Sequence, residues 1–294
     1  MSEWHIATLG WGADGETRID ADRELTDVEH ASTRDSLLVL DEVLDRVLWR
    51  VLKHSYANCQ ALGHQIVETL NRKDMPTRKA RDAGMTLAVS AIMSFLTAMH
   101  MYLDQTERDL KHRDRDDNGK RFDVWRSVCS AEYDDHFAYR FLYRFRNYVL
   151  HRGLPIGNSA VTKTAASPEL PTESDPPIIR VFLGESPQNL IEQYKGWSTV
   201  KSDLASLTTP IDLVEQIEIA MECLARVEQA YIETLRRELR NAADALKQVL
   251  GDPDNYDGVP LLIRVPEGVE ASTLKLDINE IDVDRVRAAM QLTT

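Results

Sequence analysis

The stretch Phe137-Ala138-Tyr139-Arg140-Phe141-Leu142-Tyr143-Arg144-Phe145-Arg146-Asn147-Tyr148-Val149-Leu150-His151-Arg152-Gly153 decides how this chain is read. Its apolar residues return every three or four positions. Phe137, Phe141, Phe145 and Tyr148 share one face with Ala138, Leu142 and Val149. That period fits an amphipathic helix and not a strand, whose faces alternate at every second residue. Gly153, with Pro155 just beyond it, is the usual punctuation of a helix C-terminus. The opposite arc carries Tyr139, Tyr143, Arg140, Arg144 and Arg146, and no acidic residue falls between His136 and Gly153.

The same period extends upstream. Leu37, Leu40, Leu44, Val47 and Val51 predict a helix from Ser36 whose apolar face continues through Ala61 to Leu70. Met75-Pro76-Thr77 interrupts it, Thr77 is a natural N-cap, and a second long helix is expected from about Arg78 to Lys111. A charged loop, His112 to Lys120, leads to the third helical region. Downstream, residues 153–177 are rich in Pro, Ser, Thr and Gly and read as a loop, and Ile178 to Leu183 has a strand's composition. Ile211 to Leu250 predicts one long helix with Leu213, Ile217, Ala220, Leu224 and Val227 facing the core. At the two ends, His5 to Trp11, Thr17 to Asp20, Leu261 to Val265 and Thr273 to Ile278 read as strands, and Asp284 to Leu292 as a short helix.

The fold expected from this pattern is mostly α, an antiparallel four-helix-type bundle with small peripheral β elements. Residues 1–30 form an N-terminal hairpin extension, 31–250 the helical domain with an insertion at 153–210, and 251–294 a C-terminal α/β tail. The strands near residues 5, 178 and 261 are expected to pair into one small sheet.

Composition narrows the function classes. The chain has 294 residues, 43% of them hydrophobic and 28% charged, which is ordinary for a protein with a packed core. Its formal charge of −13 argues against broad electrostatic adhesion to nucleic acid, so an RNA-acting protein of this kind needs a local basic patch. Residues 136–153 supply one. The apolar run from Met85 to Met101 is interrupted by Thr86, Ser90, Ser94, Thr97 and His100, so no membrane span is expected. The N-terminus lacks a signal-peptide pattern, and a cytoplasmic location is expected. Cys59, Cys129 and Cys223 lie far apart and read as buried free thiols.

Chemistry concentrates at Arg146-Asn147-Tyr148-Val149-Leu150-His151. Imidazole titrates near neutral pH and can move a proton, whereas guanidinium stays charged and offers a planar fork that fits a phosphate. Together they can work on a phosphodiester with no metal or cofactor. The spacing Arg-x4-6-His also occurs at Arg23…His30 and Arg144…His151. Asn147 after the arginine, the aromatic helix before it and the Gly and Pro after it set Arg146…His151 apart. At roughly 100° per residue, Arg146 and His151 lie about 140° apart on an ideal helix, which favours a site shared between two subunits.

These residues resemble the HEPN superfamily (higher eukaryotes and prokaryotes nucleotide-binding domains). Its Arg-x4-6-His motif closes a long helix of a four-helix arrangement, often with Asn after the arginine. The resemblance implies a metal-independent endoribonuclease of the prokaryotic toxin or abortive-infection type, acting as a homodimer whose two motifs line one cleft. It implies that Arg146, His151 and Asn147 are catalytic: His151 as general base or acid, Arg146 as stabiliser of the phosphorane-like transition state, Asn147 as an orienting group. Arg140, Arg144, Arg152 and Tyr143 are expected to contact RNA phosphates. RNA is the expected substrate, and an antitoxin or sensor protein a possible partner.

A second class remains open, a non-catalytic module whose arginine-rich face docks a nucleotide, RNA or protein. Other motifs carry less. Asp114-x-Asp116-x-Asn118-Gly119 copies half of an EF-hand loop, but Trp125 stands where a bidentate Glu is required, so an inter-helix loop is expected. His112-Arg113-Asp114 lacks the rest of a kinase site. His54, His64 and His100 occur singly and form no ligand pair. Gly10 to Gly15 reads as a hairpin turn. Trp11 and Trp197 lie outside helices, with edge packing the expected role and anchoring of a partner the alternative.

Overall fold

The computed structural model describes residues 3–11, 17–114, 119–154, 158–164, 178–251, 259–265 and 277–293. In chain order its elements are β1 (Glu3–Trp11), β2 (Thr17–Leu25), α1 (Asp27–Leu44), α2 (Val47–Leu70), α3 (Thr77–Arg113), α4 (Lys120–Asp135) and α5 (Phe137–Arg152). They continue with β3 (Asn158–Thr164), β4 (Ile178–Glu185), α6 (Pro187–Gln193), α7 (Val200–Ser206) and β5 (Ile211–Asp212). The remainder is α8 (Leu213–Thr234), α9 (Arg236–Leu250), β6 (Val259–Val265), β7 (Asp277–Glu280) and α10 (Val283–Thr293). The protein is mostly α with small antiparallel sheets, as expected.

The chain forms two compact units, one built from residues 1–46 with 232–294, the other from residues 47–231. The expected division into 1–30, 31–250 and 251–294 therefore differs from the observed one: the two terminal segments belong to a single unit, together with α1 and α9. The expected single sheet is also two. In the first unit the strand order is β2-β1-β6-β7, so the strands near residues 5 and 261 do pair. The strand near residue 178 lies instead in the second unit, in a sheet ordered β3-β4-β5.

In the first unit, Ala7 sits opposite Leu261 and packs with Ile263, Leu9 and Val259. α1 starts at a capping box, with the Thr26 hydroxyl accepting from the Glu29 N–H and the Glu29 carboxylate accepting from the Thr26 N–H at 2.9 Å. That box places the helix start nine residues before Ser36. Arg285 of α10 binds Asp41, Asp45 at 2.9 Å and Asp282 at 3.0 Å, which ties α10 to the C-terminal end of α1.

Three expected helices prove to be broken pairs. The helix from Ser36 to Leu70 stops at Asp45, whose φ of −111° and ψ of 48° leave the helical region. The break re-phases the apolar face: Leu40 and Val43 are buried on one side of it, Leu52, Cys59, Leu62 and Ile66 on the other, and Val47 and Val51 are exposed. The third region splits into α4 and α5 at His136, and the last into α8 and α9 at Leu235. α3 starts at Thr77, although its cap is Pro76, without a side-chain hydrogen bond. By length and composition α3 could cross a bilayer, with a mean hydropathy of 1.5 over its most apolar window. Half of that window is buried within the protein.

The core of the second unit is aromatic. Trp197, with no exposed surface, lies nearly parallel to Phe141, Phe145 and Tyr148 of α5 at centroid distances of 5.9, 6.5 and 5.5 Å. Its indole N–H donates to the Leu190 carbonyl at 2.8 Å, so the buried polar atom is satisfied. Edge packing understates this residue, and its full burial removes it as a partner anchor. On the other side, α3 is joined to α8 by two buried phenols: Tyr102 donates to Glu228 at 2.7 Å, and Tyr231 donates to Asp109 at 2.6 Å. Replacing Trp197 by Ala is expected to destabilise this unit by about 3–5 kcal/mol. Urea unfolding followed by circular dichroism checks this; a loss below about 1 kcal/mol would show that the stack is not structural.

Candidate functional site

α5 begins because His136 adopts an extended conformation (φ −116°, ψ 110°) that ends α4 and starts a new helix. It ends at Gly153, whose φ of 83° is costly for any side-chain-bearing residue, with its N–H donating to the Val149 carbonyl at 2.8 Å. The aromatic face is buried as the period predicts. Tyr139 departs from expectation: it lies on the polar arc by angle, yet it is buried, and burial pushes its phenol well above the usual range.

The basic residues of α5 have different fates. Arg140 is engaged by the fold, its Nε donating to Asp203 at 2.7 Å and its Nη1 to the Asp134 carbonyl at 3.0 Å. Arg144 is half-buried and reaches the Tyr133 hydroxyl at 3.4 Å. Arg146 and Asn147 are half-buried neighbours joined by a 3.4 Å bond from guanidinium to amide oxygen. His151 is exposed, its ring lying at 21° to Tyr194 with centroids 6.4 Å apart, and Arg152 beside it is exposed as well. Leu150 is 55% exposed, an apolar residue left open between them.

No hydrogen bond joins Arg146 to His151, in keeping with their separation around the helix. The imidazole whose charge Arg146 does influence is His100. That residue, read as a lone histidine in a helix, packs inside the second unit, 8% exposed, with its ring on Tyr143 at a centroid distance of 4.7 Å. Its Nε2 lies 3.1 Å from the Tyr143 carbonyl, and because a carbonyl only accepts, Nε2 carries the proton. Burial holds the His100 pKa below the usual 6.5, and the positive charge of Arg146 lowers it further, while Asp104 opposes the shift. Tyr143, expected to meet phosphate, has a phenol raised by burial and then by Asp104. Arg144 opposes that shift, so the phenol has both a carboxylate and a guanidinium near it.

One further cluster has the ligand types of a metal site. Glu132, His136 and Cys223 present atoms within 4.8 Å of one another. The same atoms surround a cation that the chain itself provides. Arg226 donates to both Glu132 oxygens at 2.6 and 2.8 Å, and lies 3.2 Å from His136 Nε2 and 3.3 Å from Cys223 Sγ. Burial pushes the Cys223 thiol up to about 12, so it stays protonated where a metal would need thiolate. The guanidinium already fills the role a divalent ion would take, and the cluster is structural. Cys59 and Cys129 are likewise raised to about 12 by burial, which suits inert thiols. Of the half EF-hand pattern at 114–119, residues 115–118 lie outside the described ones, while Asp114 is buried and caps α4 by accepting from the Phe122 N–H at 2.7 Å.

No protein-family model, no curated protein and no solved structure matches this chain.

Two outcomes follow from these groups. His100 should titrate below 6.5, and Arg146→Ala should move its midpoint upward by removing a like charge. Imidazole C–H resonances followed against pH test this; an unchanged midpoint would place Arg146 away from His100. Arg226→Ala strips the nearly buried Glu132 of its bidentate partner and leaves it only His136, 3.4 Å away. Because Arg226 is itself half exposed and screened, the expected loss is about 1–3 kcal/mol at neutral pH. Arg226 holds the Glu132 carboxyl below its usual 4.5, so the stability it brings is complete above that value and fades as pH falls through the lowered one. Wild type and variant should converge in acid, and thermal melts from pH 7 down to pH 3 would reveal a gap that failed to close.

Proposed function

We propose that this protein is a metal-independent endoribonuclease whose working groups are His151, Arg146 and Asn147, with two copies of the chain completing each site. The observation that supports this reading is the contrast along α5. Arg140 is engaged by Asp203, whereas His151 and Arg152 stand exposed and Arg146 bonds, among the described residues, only to its neighbour Asn147. In a chain of charge −13, cations with no ion pair among the described residues, beside an exposed imidazole, are available for an anion.

The chemistry is transesterification at a ribose. His151 takes the proton from the 2′-hydroxyl, or gives one to the departing 5′-oxygen, and the 2′-oxygen attacks the adjacent phosphorus to leave a 2′,3′-cyclic phosphate. Arg146 stabilises the charge that grows on the non-bridging oxygens, and Asn147 fixes the direction of the guanidinium fork. Since Arg146 and His151 point to different sides of α5, the Arg146 of one copy serves the His151 of the other. Arg144 and Arg152 meet flanking phosphates. Arg140 and Tyr143 are assigned to the fold instead. A toxin or abortive-infection role, held in check by an antitoxin or sensor protein, suits such an enzyme. The second reading, RNA binding without turnover, draws on the same exposed arginines.

Purified protein incubated with total RNA in EDTA should cut it to cyclic-phosphate ends, and His151→Ala should lower the rate by about 10²–10⁴-fold. Arg146→Ala and His151→Ala proteins, inactive alone, should regain activity when mixed, since each mixed pair restores one intact site. Saturable RNA binding without cleavage would replace the enzyme with the binding module.

A further inference from the structure

A cavity of about 920 Å³ opens within the 47–231 unit between α2, α3 and the paired strands β3 and β4. That size lies in the range of small-molecule sites. One wall is Ile66 and Leu70, a turn apart on α2, and another is Val181 and Leu183, alternate residues of β4 and so on one face of it. Leu70 is 41% exposed and Met85, on the α3 wall, 37%, so large apolar side chains are left open here.

The α3 wall is a stripe at helical spacing, Arg78, Arg81, Met85 and Ala88, and its chemistry changes along its length. The first two are guanidinium groups, exposed and in no ion pair among the described residues, and the last two are apolar. From Arg78 to Ala88 the helix rises roughly 15 Å. Asp82 also reaches the wall, but cations prevail in this segment. Between Arg72 and Asp82 stand Arg72, Lys73, Arg78, Lys79 and Arg81 against Asp74 and Asp82, and Asp74 is taken by Arg72 at 2.7 Å. The backbone adds to this field. Pro76 at the N-cap leaves the first turn of α3 without a side-chain cap, so the positive end of a 37-residue helix lies at Thr77, on the cavity wall.

We propose that this cavity binds a long-chain carboxylate, a single alkyl chain with one anionic head. Arg78 and Arg81 hold the head, their planar donors matched to its two oxygens. The chain lies along Met85 and Ala88, between Ile66 and the β4 pair, and covers the apolar surface that the fold leaves open. Charge at one end of the stripe selects a head-and-tail molecule over a compact anion. No residue of α5 lines the cavity among the described residues, and the inference does not depend on the ribonuclease reading.

Laurate is the probe, kept below the concentration at which it forms micelles, with isothermal calorimetry on the full chain as the measurement. It should bind saturably, one per chain, and roughly tenfold more tightly than decanoate, which is two methylenes shorter. Dodecyltrimethylammonium, the same chain with the opposite charge, should bind at least about tenfold more weakly. Arg78→Gln together with Arg81→Gln should weaken laurate at least about tenfold and, both residues being exposed, should not lower the melting temperature. Lys79→Gln, which removes a cation of the same turn outside the wall, should change laurate affinity less than about threefold. Absence of saturable laurate uptake, equal affinity for the cationic chain, or indifference to the paired arginine change would each overturn the proposal. Attachment to phosphatidylglycerol vesicles without uptake of monomeric laurate would overturn it too, in favour of a membrane-facing surface.

Discussion

Rings on successive turns of α5 lie within about 25° of parallel to the indole of Trp197, and Phe137 extends the stack through Phe141. Flat surfaces in contact resist rotation about the helix axis much more than aliphatic side chains do, because each ring has few rotamers and a large contact area. The stack therefore fixes the azimuth of α5, and with it every polar residue the helix carries. Tyr148, in the same stack, donates to Gln193 at 2.6 Å, so the segment that brings in Trp197 is held at its other end as well. With the azimuth fixed, Arg146 can only face the His100 side and His151 the Tyr194 side. The angular separation of Arg146 from His151 is a consequence of core packing.

Electrostatics adds a second layer of selection. Carboxylates outnumber cations in this sequence, 48 to 35, so an arginine near the surface readily finds an acid. Arg226, Arg140 and Arg285 are each absorbed in this way. The end of α5 enters no ion pair among the described residues, and its own sequence from His136 to Gly153 holds no carboxylate. A basic patch in an acidic protein thus arises by local omission of carboxylates as much as by accumulation of arginine.

The amphipathic period of α5 and α8 was legible because burial enforces it: Leu213, Ile217, Ala220, Leu224 and Val227 are all buried. Breaks at Asp45, His136 and Leu235 were not, since none is marked by glycine or proline and apolar residues continue across each. The Thr26-x-x-Glu29 capping box was a readable start signal for α1, eclipsed by the stronger hydrophobic pattern that follows. For the site, residue types at 146–151 were legible, whereas the partners of Arg140, Arg226 and His100 come from segments 63, 94 and 43 residues away. Distances of that order carry no local pattern. Trp197 shows the same limit: its neighbours in sequence reveal nothing of the rings it meets.

The pairing of β1 with β6 has a further consequence for how the protein is made. During synthesis β1 leaves the ribosome early, yet its partner strand follows about 250 residues later. The intervening 47–231 unit, compact in itself, can be complete before that strand exists. The edge of β1 facing β6 stays unpaired throughout that interval, an open template for any passing strand. Slow translation would prolong that exposure, whereas an early-folding insert gives the nascent chain a stable core to wait around.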